Sequence, residues 1–230
     1  IYVLSEFLCA LHLQDTCKKN NYRMVYSGGI AYFDMLLSGG VRGASITPFR
    51  TFEHSAWDTP RERRRLTYLI ARHLLKPESL FAMLKGNHVV NIGKLEALKR
   101  QYLKNNNLSE VDFTYVFYRQ IARCNKAVEP RIDVTGAGKK IIESLRQVGQ
   151  RLNIEVPGKF FSVWEEIVCK QLKRSALIYE IFRSYIEARQ WFKGRTFLMA
   201  GMGNPWHRLI ALAARNAGNE VINTTHGNML

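Results

Sequence analysis

The chain is short of acidic residues, of cysteine and of long apolar runs, and each shortage removes a class of protein. Only 19 Asp and Glu stand against 34 Lys and Arg, a net charge of +15, so an acidic, disordered chain is excluded. Four cysteines (Cys9, Cys17, Cys124 and Cys169) form no C-x-x-C pair and no regular spacing, which leaves no zinc site or disulfide framework to read. Reduced thiols follow. No apolar run approaches the roughly 18 to 20 residues that cross a bilayer. The apolar start Ile1 to Leu13 lacks a basic leader and contains Glu6, so it reads as neither a signal peptide nor a membrane span. The chain opens on Ile1 and stops at Leu230 with no polar tail, and is expected to be a piece of a longer protein.

What is present suits a globular protein. At 230 residues, 47% hydrophobic and 23% charged, the chain can bury a substantial core in one domain or two small ones. A pI near 9.9 asks for an anionic partner. Nucleic acid, membrane phospholipid and a phosphorylated or acidic sugar all remain open on charge alone.

The N-terminal residues read as a strand Ile1 to Leu4, a helix capped by Ser5, and a strand Tyr22 to Tyr26 closing at Ser27-Gly28-Gly29. Phe7, Leu8 and Leu11 share one helix face, and Lys18-Lys19-Asn20-Asn21 supplies its stop. This is half of a βαβ unit. The Gly, Ser and Pro-rich segment that follows, to Trp57, is assigned no structure. From Pro60 to Lys193 the apolar spacing is helical: Leu66, Leu69, Ile70 and Leu74, then Ile141, Ile142 and Leu145, then Ile167, Leu172, Leu177, Ile181 and Tyr185. Most of the excess positive charge lies here, as in Arg61, Arg63, Arg64 and Arg65 and in Lys170, Lys173 and Arg174. Each run is a solvated face or an anion-binding one.

The last stretch is the most informative. Thr196 to Ala200 is a compact apolar strand, Gly201-Met202-Gly203-Asn204 a turn, and Pro205 the first residue of a helix capped by Asn204. Leu209, Ile210, Leu212, Ala213 and Ala214 give that helix a small-residue face, and Gly218 ends it. Glu220 to Thr224 is the next strand, followed directly by Thr225-His226-Gly227. A strand, helix and strand unit joins parallel strands, so both loops leave the carboxyl edge of one sheet, where open α/β folds bind ligands. The expected fold is α/β, a single Rossmann-like domain over residues 1–230 with a parallel sheet and a mainly helical stretch at 60–193.

Gly201, Gly203 and Asn204 offer backbone N–H groups at a helix N-terminus, which favour a phosphate or carboxylate. Trp206 stands where the dinucleotide fingerprint needs its third glycine. His207 is a polar contact or, more simply, a surface residue. His226 is the candidate catalytic base, since an imidazole at a strand end can take a proton near neutrality; the plain alternative is a histidine bonded to backbone in a turn. Thr224 and Thr225 offer hydroxyls, and Gly227 permits close backbone approach. Asp133-Val-Thr-Gly-Ala-Gly-Lys-Lys140 departs from the phosphate-loop pattern at both ends and reads as a loop feeding a helix. Glu6, Glu165 and Glu166 read as solvated carboxylates. No His, Cys and carboxylate set has metal-ligand spacing.

The segment Phe197 to Gly227 resembles the end of the N-terminal domain in two-domain (GT-B-like) glycosyltransferases of bacterial surface and capsular polysaccharides, including the CDP-glycerol glycerophosphotransferases. There a strand, an Ala-rich helix ending in Gly, and a strand running into a Gln-His-Gly or Trp-His-Gly loop recur in this order. Thr225 stands where that family carries Gln or Trp. The resemblance implies that His226 is the catalytic base and that this chain is the acceptor-side half of a transferase. It also implies a nucleotide-activated sugar as donor, a glycan or lipid-linked acceptor, and no tightly bound cofactor. The implied location is the cytoplasm, with the basic face suiting the inner membrane surface. The rival reading is a basic nucleic-acid-binding module, resting on the charge and on aromatic and basic residues interleaved in Tyr115-Val-Phe-Tyr-Arg119.

Overall fold

The structure is a computed structural model that describes residues 12–13, 15–22, 24–27, 42–45, 60–94, 97–123, 130–151, 158–200 and 204–224. The chain divides into two compact units, Ile1–Glu53 with Pro130–Arg174, and His54–Glu129 with Ser175–Leu230.

In the first unit two short strands, β1 (Met24–Ser27) and β2 (Arg42–Ser45), pair in parallel from Met24↔Arg42 to Ser27↔Ser45. The helix before β1 stops as its sequence implies. Asn21 takes a positive φ of 54°, while Tyr22 N–H bonds Cys17 O and Asn21 N–H bonds Lys18 O, closing a Schellman cap. The strand Ile1 to Leu4 lies outside the described residues. The Gly-rich segment after Asp133 begins a helix (Thr135–Arg151), as expected, and Asp133 Oδ1 accepts from Thr135 N–H at 2.9 Å. That bond holds the Asp133 carboxyl below its ordinary range. Gly138 is buried inside this helix, and a Cβ there would meet Cys169 Sγ at 2.5 Å, so the glycine serves close helix packing.

The second unit carries a four-stranded, all-parallel sheet in the order β4-β3-β5-β6: β3 (His88–Ile92), β4 (Ser109–Asp112), β5 (Thr196–Ala200) and β6 (Glu220–Thr224). Its helices, numbered within the unit, are α1 (Pro60–Leu74), α2 (Pro77–Lys85), α3 (Ala97–Asn105) between β3 and β4, α4 (Thr114–Arg123) after β4, and α5 (Pro205–Asn216) between β5 and β6. A long helix, Gly158–Glu187, contributes its last turns. This is the α/β, Rossmann-like class with a large helical share that the sequence implies. Two strands, β3 and β4, fall inside the stretch whose spacing reads as helical. The apolar run His88-Val-Val-Asn-Ile92 is too short for its period to distinguish strand from helix.

Parallel strands are covered on both faces, and the alternation of side chains divides the core accordingly. Val90, Ile92, Phe197 and Met199 face the larger cluster, with Phe117, Phe182 and Phe192. Rings there meet edge to face, as Phe113 and Phe192 do at 4.8 Å between centroids. Val89 and Leu198 face the smaller cluster with Leu103 of α3. Asn91 belongs by this alternation to the α3 side. Asn204 caps α5 by accepting from Trp206 N–H at 2.9 Å, with Pro205 at the first helical position. At the other end Asn219 N–H bonds Ala214 O and Gly218 N–H bonds Arg215 O, with Gly218 at φ 77°, a second Schellman cap.

Candidate functional site

A polar side chain in the middle of a parallel sheet needs partners for every donor and acceptor. Asn91 finds all of them. Its Oδ1 accepts from Lys99 Nζ, and its Nδ2 donates to Glu110 Oε1 at 2.6 Å and to Gly93 O at 3.1 Å. Lys99, fully buried on α3, also donates to Ile92 O at 3.0 Å. These partners fix the amide's orientation: the amine lies against Oδ1, the carboxylate and carbonyl against Nδ2. Burial pushes the Glu110 carboxyl above its ordinary value, an effect reinforced by Asp112 and opposed by the Asn91 bond and by Lys99.

At the end of β4, Asp112 Oδ1 accepts from Thr114 N–H at 2.8 Å and starts α4. Thr114 Oγ1 in turn accepts from Gly93 N–H at 2.8 Å, which ties the ends of β3 and β4 together. His73 of α1 lies near this corner, its Nδ1 at 3.9 Å from Asp112 Oδ2 and its ring 5.7 Å from that of Tyr115.

At the end of β5, His207 Nδ1 lies 2.6 Å from Ala200 O. A carbonyl only accepts, so Nδ1 carries the proton and Nε2 of the neutral ring is an acceptor. Tyr118 Oη lies 3.2 Å from Nε2 and donates to it, while accepting from Asn204 Nδ2 at 3.3 Å. One directed chain results, from Asn204 through Tyr118 and His207 to Ala200 O. Burial lifts the Tyr118 phenol above its ordinary value, opposed by the Asn204 bond, so it keeps its proton near neutrality.

Gly93 is the hinge between the two networks. Its φ of 88° suits glycine, and a Cβ there would lie 3.1 Å from Ala200 O and 3.3 Å from His207 Cε1. A side chain here would have to shift Ala200 or His207 by a few tenths of an ångström. The carboxyl ends of β3, β4 and β5 therefore carry two adjacent polar networks that meet at Gly93, with α5 contributing Asn204 and His207 to the second.

Of the residues singled out in the sequence, Asn204 stands in the second network, half-buried. Gly201, Gly203, Thr225, His226 and Gly227 lie outside the described residues. Thr224 ends β6 opposite Ala200 and donates from Oγ1 to Met199 O at 3.0 Å. His207, read most simply as a surface residue, is 6% exposed and fixed at both ring nitrogens. The helical period places it beside Ile210 and Ala211 on the face that packs against the sheet. The Tyr115 to Arg119 run is no exposed aromatic stripe: Val116 and Phe117 are core residues. Sequence reasoning missed Asn91, Lys99 and Glu110. One signal was present, an Asn interrupting the apolar run just before Gly93.

Among the described residues no group of three His, Cys, Asp or Glu side chains is placed to hold a metal, and no helix is long and apolar enough to cross a membrane. No family model, curated protein or solved structure matches the chain.

Proposed function

We propose that this chain is the acceptor-side half of a glycosyltransferase, or of a related phosphosugar transferase, acting in bacterial surface polysaccharide synthesis, with His226 as its base. The observation that carries the reading is the register of β5 and β6, parallel from Thr196↔Glu220 to Ala200↔Thr224. Both strands end at one edge. Asn204 follows closely after one and His226 after the other. Ligands of open α/β sheets bind at that edge, and the polar networks around Asn91 and His207 lie on it.

The chemistry is a balanced displacement. An acceptor hydroxyl gives its proton to the His226 imidazole, and its oxygen forms a bond to the anomeric carbon of a nucleotide-activated sugar. The bond from that carbon to the nucleotide phosphate breaks, and the electron pair leaves on the phosphate oxygen. Backbone N–H groups around Gly201, Gly203 and Asn204, at the start of α5, suit the departing phosphate charge. Thr225 offers a hydroxyl to the acceptor, and Gly227 lets the backbone approach it.

The test is sugar transfer by the complete enzyme carrying His226→Ala. Transfer should fall by about a hundredfold or more, the size of a general-base contribution, with the far-UV spectrum and unfolding midpoint unchanged. Near-normal turnover would remove His226 from the mechanism.

A further inference from the structure

Helix α1 has two faces. Leu66, Ile70 and Leu74 turn inward, Leu66 fully buried and the other two packed against the core. At 100° per residue the opposite face holds Arg61, Arg64, Tyr68 and Arg72, and Leu75 follows directly after the helix. These four and Leu75 are exposed, Tyr68 and Leu75 at 63% each. Lys76 and Pro77 lead straight into α2, which packs on α1 and repeats the pattern. Ser79 and Ala82 are buried, while Leu80, Phe81 and Leu84 face outward at 40%, 59% and 86%. Lys85 Nζ sits 4.4 Å over the Phe81 ring. Between Pro60 and Lys85 seven Lys and Arg face only two acids, Glu62 and Glu78. A shallow groove of about 440 Å3 runs along α1 with Arg64 and Tyr68 on its wall.

A solvated face has no use for three leucines and two aromatic rings at such exposure. Four occupants differ in what they offer this surface. A second copy of the chain brings the same positive charge and is repelled. An acidic glycan pairs with the arginines and leaves the leucines in water. A polynucleotide offers phosphates to the arginines and bases to Tyr68 and Phe81, but nothing to Leu75, Leu80 and Leu84. An anionic phospholipid bilayer satisfies all three classes: phosphates for the cations, the interface for the rings, acyl carbon for the leucines.

We propose that the exposed face of the α1 and α2 hairpin docks on an anionic phospholipid surface, with Phe81 and Leu84 entering the acyl boundary and Arg64, Arg72 and Lys85 resting among headgroup phosphates. The helices lie along the surface rather than through it. The proposal stands apart from the transferase reading, because vesicle binding needs neither donor nor acceptor. A chain that binds lipid and transfers no sugar keeps the first and removes the second.

The experiment is flotation of the 230-residue chain with vesicles of phosphatidylcholine alone or of phosphatidylcholine with phosphatidylglycerol, alongside polyuridylate binding at the same ionic strength. The chain should float with the anionic vesicles and stay behind with the neutral ones. Phe81→Ser with Leu84→Ser should weaken binding by about tenfold or more, the apolar area lost, and Arg64→Glu with Arg72→Glu by about as much. All four positions are exposed, so the unfolding midpoint should hold, and circular dichroism checks it. Failure to float with anionic vesicles overturns the proposal. So does floating that survives the Phe81 and Leu84 pair, which would mean charge alone binds. Tight polyuridylate binding lost in the arginine pair, without flotation, would hand the surface to nucleic acid.

Discussion

The two edges of the parallel sheet are built differently. At the carboxyl edge, side chains bond to one another as well as to backbone: Lys99 to Asn91, Asn91 to Glu110, Asn204 to Tyr118, Tyr118 to His207. At the amino edge they bond mostly to backbone, the exposed Thr196 Oγ1 to Glu220 Oε2 bond at 2.7 Å excepted. His88 Nε2 reaches Trp191 O at 2.9 Å, Arg195 reaches Gly86 O, and Asn219 Oδ1 accepts from Arg195 N–H at 3.1 Å. Two buried nitrogens there have no hydrogen-bond partner, Arg195 Nε and Asn219 Nδ2. Bonds to backbone close the end of a fold. Networks of side chains fix the direction of each donor and acceptor, which is what a ligand site requires.

The largest effect should come from breaking the carboxyl-edge network at its buried cation. Lys99→Met removes two hydrogen bonds, leaves Asn91 Oδ1 and Ile92 O without that donor and takes a nearby positive charge from Glu110, at a cost of about 3 kcal/mol. Urea unfolding reads the change, and a loss below about 1 kcal/mol would show the network to be slack.

Next is the hinge. Gly93→Ala must adopt a positive φ and displace Ala200 O or His207, costing about 2 kcal/mol. The same substitution at Gly218 has open space around its Cβ and should cost less, since only φ is strained. Equal losses at the two positions would mean that the contact with β5 and α5 contributes nothing.

The smallest effect sharpens the comparison by sign. Burial, reinforced by Arg195, lowers the His88 pKa from 6.5. The unfolded chain then takes up the proton first, and stability falls as pH drops below 6.5 toward the folded value. Burial raises the Glu110 pKa from 4.5, so the folded chain holds that proton longer and stability falls as pH rises from 4.5 through the folded value. His88→Gln should flatten the first slope and Glu110→Gln the second, each read from unfolding midpoints across pH. Slopes unchanged in both variants would remove these groups from the pH response.

The sequence exposed those parts of the fold that rest on local chemistry. Pro205 and Gly218 mark the ends of α5, Asn204 its cap, and the spacing of small apolar residues its packed face; each acts through neighbours a few residues away. Asn20 and Asn21 end the N-terminal helix for the same reason. The carboxyl-edge network was not legible because its bonds join distant segments. Tyr118 and His207 meet only when α4 and α5 pack on one sheet, and Lys99 reads as one lysine among many on a basic chain. Only the Asn in Val89-Val90-Asn91-Ile92 breaks its local pattern, and that run has first to be recognised as a strand.

The central claim of the proposed transferase reading is that the carboxyl edge, not the amino edge, serves a ligand. The direct measurement is kcat/KM for sugar transfer by the complete enzyme carrying Tyr118→Phe or His207→Gln at one edge, and His88→Gln or Asn219→Ala at the other, at a temperature where all four are folded. The carboxyl-edge variants should lose about tenfold or more, as expected when groups that orient a site are removed, while the amino-edge variants stay within about twofold. Equal losses at both edges, or larger losses at the amino edge, would contradict the account.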